Sequence, residues 1–418
     1  MTGHSEPRVG TETSAAAGTS ATEASGCPGV LVTLLLASTL GVMAGSVISP
    51  VVEVIRGDFG VSGTAAGLVV TAHALAVAVT SPLIGRAIDH CGVRIPLAAG
   101  LVLYGISGGA GLFTTSYPAL IASRLVFGIG AAAVFTGTTV ALLQLFTGPR
   151  RDRVMGWRSA ANSVGGLVWP LLGGTLGGLS WHAPFAIYLV GLPLGVAAVL
   201  ALPHTAPHRA ARTRGGVLAL VRQSPAVLGF YALQAAASIF LYTMVVFLPQ
   251  RLADLGIREP LMVSLYLVVM TGAISSLVGL VYAPLRARLS YAALLRTAAL
   301  AWAGAFTVLG TVDHPVLLLA GPALLGLGQG LSLPSLTVLV NESAPPALRG
   351  QATSLAGTVI FGGQFLSPLL LGPLIGATSS TVGFLTAAVM AGLIALTLTT
   401  VRMASSTSPG GSASASDN

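Results

Sequence analysis

The chain has 418 residues, of which only 8% are charged and 54% are hydrophobic. A soluble domain carries about a quarter charged residues, so this chain has too few to cover a water-facing surface. Its mean hydropathy is +0.86, which excludes an ordinary soluble enzyme, and the formal net charge of +8 belongs to arginines in short polar breaks rather than to a nucleic-acid-binding face.

In chain order, residues 1–28 come first, rich in Ala, Ser, Thr, Gly and Glu. They lack a basic stretch leading into an apolar core, and they read as a disordered cytoplasmic tail rather than a cleaved leader. Residues 404–418 read the same way. Between the tails, apolar runs of about 20 residues suffice to span a bilayer as helix. Breaks at Gly, Pro and charge predict twelve such spans, at 30–55, 63–86, 94–114, 117–147, 153–179, 183–202, 225–250, 261–285, 290–312, 315–342, 350–376 and 380–402.

An even number of spans puts both tails on one side. Arg86, Arg94, Arg150, Arg151, Arg153, Arg209, Arg212, Arg214, Arg222, Arg286, Arg288, Arg296, Arg349 and Arg402 then share that side, with Arg158 just inside the fifth span. Arg56, Arg251 and Arg258 fall opposite. The positive-inside bias therefore sets both termini in the cytoplasm, and a bacterial inner (plasma) membrane is expected. Cys27 and Cys91 lie on the cytoplasmic side, so no structural disulfide is expected.

The longest polar break, Pro203–Gly216, divides the chain into a first bundle (29–202), a cytoplasmic linker (203–224) and a second bundle (225–403). The halves share segments. "WPLLGG" (Trp169–Gly174) matches "SPLLLG" (Ser367–Gly372), with prolines 198 positions apart (368 − 170). "FGIGAA" (Phe127–Ala132) matches "LGLGQG" (Leu325–Gly330) at the same offset, and "SPLIGR" (Ser81–Arg86) resembles "APLRAR" (Ala283–Arg288). The expected fold is all-α: a polytopic membrane protein with 12 transmembrane helices in two pseudo-symmetric six-helix bundles, as in rocker-switch transporters.

Three segments stand out. "SPLIGRAIDHCGVRIPL" (Ser81–Leu97) concentrates charge between two spans and contains Gly85, Asp89, Gly92 and Arg94. "SRLVFGIGAAA" holds Arg124, the one arginine deep within a predicted span. A guanidinium there is costly and is a functional candidate by default, with snorkelling to the headgroups as the alternative. In "NSVGGLVWPLLGG", Ser159, Ser163, Gly166 and Pro170 share one helical face, suited to close packing against a neighbour.

On these segments the chain resembles the major facilitator superfamily, in particular its twelve-helix drug:proton antiporters, over all twelve spans. Gly85, Asp89, Gly92 and Arg94 look like the family's G-x-x-x-D-x-x-G-x-R loop between helices two and three. The resemblance implies that Asp89 reaches the N-terminus of the eleventh span near Arg349 and Gly350, latching the cytoplasmic side shut; the alternative is a solvated loop whose arginines only set orientation. A carboxylate at a helix N-terminus gains about 0.3–1 kcal/mol there. The second-half counterpart has lost the glycines and the acid, so only the first half should carry this latch. Arg124 matches the family's helix-four arginine, which implies a role in proton coupling or substrate binding. Asn162, Gly166, Pro170, Gly173 and Gly174 fit the antiporter signature of helix five, although Trp169 stands where a glycine is usual. The alternative for that motif is helix packing alone.

The substrate site should come from polar positions on cavity-facing helices. Tyr231, Gln234, Ser238 and Tyr242 fall within about 80° of arc on the seventh span. Ser38, Gly45 and Ser49 share a face of the first, and Gln329 and Gln364 are isolated amides in the tenth and eleventh. Each is either a ligand contact or a helix–helix hydrogen bond. Phe135, Phe240, Trp302, Phe361 and Phe365 offer walls for a hydrophobic ligand, or packing. Candidates for proton coupling are Arg124, Glu53 near the outer end of the first span, with an interfacial charge as its alternative, and His73, whose side-chain type titrates near pH 6.5, with polar packing as its alternative. Glu342 lies at the inner end of the tenth span.

No catalytic or metal motif survives inspection, and "DHCG" (Asp89–Gly92) lies in the latch loop. No enzyme activity, cofactor or metal is expected. The reading is a monomeric secondary transporter that exports small hydrophobic or amphipathic compounds by proton antiport. Its partners are a small-molecule substrate, protons and the lipid bilayer, with no nucleic acid. A nutrient importer and a transport-dead membrane sensor are the alternatives.

Overall fold

The computed structural model describes residues 28–203 and 217–400. The expected disordered tails, apart from Pro28, lie outside the described residues, as do Cys27, most of the linker with Arg209, Arg212 and Arg214, and Arg402.

No strand occurs among the described residues. Among the described residues, eleven helices are long and apolar enough to cross a membrane: α1 Pro28–Phe59, α2 Gly63–Cys91, α3 Arg94–Leu112, α4 Tyr117–Leu145, α6 Ala183–Ala201, α7 Ala226–Asp254, α8 Pro260–Arg288, α9 Tyr291–Thr311, α10 Pro315–Ser343, α11 Arg349–Ala377 and α12 Ser380–Thr400. The remaining long helix, α5 Gly148–Gly177, is 30 residues long but more polar, with Arg158, Asn162 and Ser163 inside it. It begins five residues before the expected 153–179, because Pro149 at its first turn suits a helix start.

Caps set the ends. Ser62 accepts from Ala65 N at 3.2 Å to open α2, and Ser290 opens α9 in the same way. Gly92 closes α2 at φ 75, a left-handed backbone that explains glycine in the charged loop. α1 is not continuous: a 3-10 turn at Ser49–Val51, with Pro50 inside it, separates Pro28–Ser46 from Val52–Phe59. α8 contains a π-turn at Leu265–Val269.

Helix pairing repeats between the halves. α1 packs on α5 as α7 packs on α11; α2 packs on α4 as α8 packs on α10; α3 packs on α4 and α6 as α9 packs on α10 and α12. The repeat reaches individual atoms. A Cβ on Gly128 would stand 2.3 Å from His73 O, and one on Gly326 would stand 2.4 Å from Thr271 O. A Cβ on Gly130 would meet Tyr104 N at 2.6 Å, and one on Gly328 would meet Trp302 Nε1 at 2.2 Å. Each of these partners lies 198 positions from its counterpart, the offset between Pro170 and Pro368. Small residues at these crossings let helices approach closely where apolar lipid offers no hydrophobic drive for association.

The bundles meet through α2 against α11 and α5 against α8. At one rim, that of Glu53, Trp181 and Arg258, these seams are tight. A Cβ on Gly67 would stand 2.7 Å from Pro368, and one on Gly372 would stand 2.3 Å from Thr64 Oγ1. At the opposite rim, that of Asp89, the bundles are apart. Positions 85, 350 and 357 are glycines with no heavy atom within 4 Å of an added Cβ. The apolar core divides accordingly. Leu220, Val227, Tyr231, Val340, Ala344, Leu348, Ala352 and Ala356 form a cluster separate from the main core.

Candidate functional site

Arg124 is fully buried in α4. Its Nη2 donates to Gly108 O at 2.8 Å and Ser107 O at 3.2 Å, the last carbonyls of α3's α-helical stretch. Its guanidinium carbon lies 4.6 Å from the Phe127 ring centre, 5.0 Å from Phe185 and 5.1 Å from Tyr188. A desolvated cation–π contact contributes about 2 kcal/mol, and the negative end of α3 adds to it. Yet Nε and Nη1 are buried with no hydrogen-bond partner, and no ion pair involving Arg124 occurs among the described residues. The tyrosines around it are anchored on the first helix: Tyr104 Oη donates to Leu40 O at 2.8 Å and Tyr188 Oη to Ala44 O at 2.9 Å.

His73 of α2 joins the same centre. Its ring meets Phe127 edge-on at 5.8 Å, it is 2% exposed, and its Nδ1 has no partner. Gly45 holds it against the other bundle. A Cβ at position 45 would stand 3.1 Å from His73 Cε1 and 3.2 Å from Tyr242 Oη of α7. A titratable imidazole, a guanidinium and a hydroxyl from the opposite bundle thus converge beside α1. At the equivalent positions of the second half stand Thr271 for His73, Trp302 for Tyr104 and Pro322 for Arg124. The second bundle has neither histidine nor arginine at these positions.

Most of the expected polar stripe on α7 is used within its own bundle. Tyr231 Oη donates to Ala352 O at 2.8 Å. Ser238 packs where a Cβ on Gly363 would stand 2.9 Å away, and Gln329 Nε2 donates to Ala237 O at 2.8 Å. Tyr242 reaches the first bundle at Gly45. The Oε1 atoms of Gln234 and Gln364 are buried without partners. Ser49 turns back onto Ser46 O at 2.9 Å. Among the aromatic walls, Phe240 and Trp302 are core residues, 5.5 Å apart and 1% exposed each, so they line no pocket. Phe135 and Phe361 do meet across the bundles, edge-on at 5.6 Å.

The helix-five motif sits in the tight seam. Ser264 Oγ of α8 donates to Pro170 O at 2.9 Å, and a Cβ on Gly174 would stand 2.1 Å from that same Oγ. Gly173 faces α1, where a Cβ would stand 2.1 Å from Val47 O. The packing face therefore runs through Gly165, Pro170, Gly173 and Gly174. The expected Ser159 and Ser163 are exposed, and Gly166 meets only Val42, at 3.4 Å. The side chain of Trp169, inside the motif, leaves Nε1 unpartnered, and Asn162 leaves Oδ1 so.

Asp89 is exposed and makes no hydrogen bond or ion pair among the described residues in this conformation; Arg349 is exposed as well. The expected contact with the start of α11 is absent here because the bundles are apart at that rim. Gly85 faces open space, and Arg94 donates to Val199 O of α6 within its own bundle. Glu53 lies at the tight rim and is gripped locally, with Arg56 Nε 2.9 Å from both carboxylate oxygens. It does not join the Arg124–His73 centre. Glu342 is exposed near the open rim.

Residues 34–368 match the family described as Major Facilitator Superfamily. The chain belongs to the Major Facilitator Superfamily. It is a polytopic membrane transporter of that superfamily. Multidrug resistance protein 1 of Bacillus subtilis is 31% identical over 156 residues, 37% of this chain and 39% of that protein. Quinolone resistance protein NorA of Staphylococcus aureus is 29% identical over 151 residues, 36% of this chain and 38% of that protein. These matches span under two-fifths of the relatives' own length. Among solved structures, the nucleoside transporter NupG superposes with TM-score 0.73 at 15% identity, covering 89% of this chain and 99% of that one. A peptide transporter POT in complex with sulfate superposes with TM-score 0.75 at 15% identity, covering 88% and 93%. Both likenesses concern the fold.

Arg124 and His73 were legible in the sequence as the isolated arginine and histidine within predicted spans. The rings around Arg124 and the role of Ser264 were not. Phe127, at i+3 from Arg124, carries the one local signal for the cage.

Proposed function

We propose that this transporter exports small hydrophobic or amphipathic compounds, antibiotics among them, in exchange for protons. The observation that carries the substrate class is that the interior's polar groups are largely spent on the protein itself. Tyr231, Ser238, Thr243 and Gln329 bond to or pack against other helices. A sugar or nucleoside would find few free donors, and each polar group desolvated without a partner costs about 1–3 kcal/mol. The names of the relatives from Bacillus subtilis and Staphylococcus aureus support the same direction of transport.

The rim at which the bundles are apart carries Arg86, Arg150, Arg151, Arg153, Arg286, Arg288 and Arg349, which supports its assignment to the cytoplasm. In this reading the substrate enters between the bundles from the cytoplasm or the inner leaflet. The bundles then rock, Asp89 docks at the start of α11, and the α2–α11 and α5–α8 seams part to release the substrate outside. Opening those seams also separates Tyr242 from Gly45 and exposes His73 to outside water. His73 takes up a proton there and gives it up on the cytoplasmic side as the site turns inward again.

Proteoliposomes loaded with a lipophilic fluorescent dye test this. Imposing a proton gradient that mimics the cell should drive dye movement that a protonophore stops. A host expressing the chain should become less susceptible to hydrophobic antibiotics. Dye movement that ignores the gradient removes proton exchange from the account. Increased uptake and unchanged susceptibility remove export.

A further inference from the structure

A second guanidinium lies inside a long helix of the first bundle, with no carboxylate to answer it among the described residues. Arg158 of α5 is partly buried; its Nη2 donates to Thr139 Oγ1 of α4 at 2.8 Å, and its Nε reaches Ser38 Oγ of α1 at 3.4 Å. Both hydroxyls are already committed as donors, Ser38 to Leu34 O at 2.8 Å and Thr139 to Phe135 O at 2.8 Å. Each offers Arg158 only a lone pair and no negative charge. No ion pair to Arg158 exists among the described residues, and Nη1 makes no hydrogen bond and is not sealed from solvent. The side chain is thus held in place by two neutral hydroxyls, with part of its planar fork left open.

The surroundings define what would fill that fork. One turn from Thr139, Phe135 is 42% exposed and meets Phe361 of α11 across the gap. One turn along α5 from Arg158, Asn162 leaves its Oδ1 buried and unpartnered. The repeat shows that the scaffold does not need these groups. At the equivalent positions of the second bundle, 198 residues on, stand Ala356 for Arg158, Leu333 for Phe135 and Ile360 for Asn162. Orienting the chain does not need Arg158 either, since Arg150, Arg151 and Arg153 already supply positive charge at that end of α5.

Resting on the export reading above, we propose that Arg158 anchors the anionic group of the substrate, and that the preferred substrates are aromatic carboxylates. The carboxylate takes the open edge of the guanidinium in a charge-assisted pair, the interaction an arginine fork suits best. The ring lies against Phe135 and Phe361.

The test measures binding of naphthoate and of naphthamide, its neutral isostere, to the full chain in lipid nanodiscs by calorimetry. Wild type should bind naphthoate about tenfold more tightly than naphthamide, the difference expected of hydrogen bonds to a charged group. Arg158→Gln should remove that preference while leaving naphthamide affinity within about twofold; Arg158→Lys should restore part of it, and Phe135→Ala should weaken both probes. Equal loss of both probes in Arg158→Gln assigns the arginine to packing and overturns the proposal, as does a wild type that prefers neither probe. If neutral dyes are expelled while naphthoate is not preferred, export stands and the anchor falls. If nothing is expelled, the export reading falls, and the naphthoate preference still decides the anchor.

Discussion

Arg124 is surrounded by three ring faces and two main-chain carbonyls, yet two of its three nitrogens lack hydrogen-bond partners. Burying a charge so incompletely matched is a poor way to stabilise a fold, and replacing buried ionic groups by apolar ones of similar volume is often neutral or stabilising. Arg124→Met should therefore leave thermal unfolding in detergent within a few degrees of wild type, or raise it, while proton-driven efflux falls more than about tenfold. A structural arginine would give the opposite pattern, with a large fall in melting temperature. His73→Asn should keep substrate exchange down a gradient and lose its response to an imposed proton gradient, measured in the same liposomes. Sequence alone pointed to both residues, since an isolated polar group in an apolar run has few bland explanations. It did not reveal that Glu53, the other candidate, is neutralised by Arg56 three residues on, because the rotamer pairing of two rim side chains leaves no trace in hydropathy.

Among the helices, the decisive pieces are the two seams and the loop that faces them from the far rim. Gly174 stands where a Cβ would meet Ser264 Oγ at 2.1 Å, a distance no side chain tolerates without displacement. Gly174→Ala should therefore disfavour the conformation seen here by about 1–3 kcal/mol, a population shift of about 5–150-fold. Accessibility of a cysteine placed at Val47, buried beneath the seam, should rise correspondingly. Asp89→Asn should act in the other direction. It leaves this conformation untouched, since Asp89 has no partner in it, and weakens the closed form of the opposite rim. Transport should fall more than ligand affinity does, and equal losses in both would refute the latch. The helix-five motif was recognisable in the sequence, but its packing face was misplaced toward Ser159 and Ser163. Small polar residues and glycines share helical periodicity, and only the neighbour's position tells which face is pressed.

At the scale of the whole molecule, the 198-residue offset organises everything else. Short matches around Pro170 and Gly128 announced it, and the structure extends it to atoms that sequence comparison does not align with confidence, such as His73 O and Thr271 O against equivalent glycines. Twelve helices in two bundles were legible for that reason, and because membrane helices must satisfy their backbone internally. The conformation was not legible, since one sequence must support both states of a rocking transporter within a few kcal/mol. The chemistry is unevenly shared across the repeat. Arg124, His73, Asp89 and Arg158 all lie in the first bundle, while the second supplies Tyr242, Phe361 and the start of α11. On the proposed mechanism, rocking of one half against the other assembles and dismantles the site. Two pairs of spin labels follow it most directly, one at Gly85 and Gly350 across the open rim, the other at Gly57 and Arg258 across the tight rim. Adding a transported dye under a proton gradient should shorten the first distance and lengthen the second in the same population. Both distances changing in the same sense, or neither changing while dye is transported, would contradict the account.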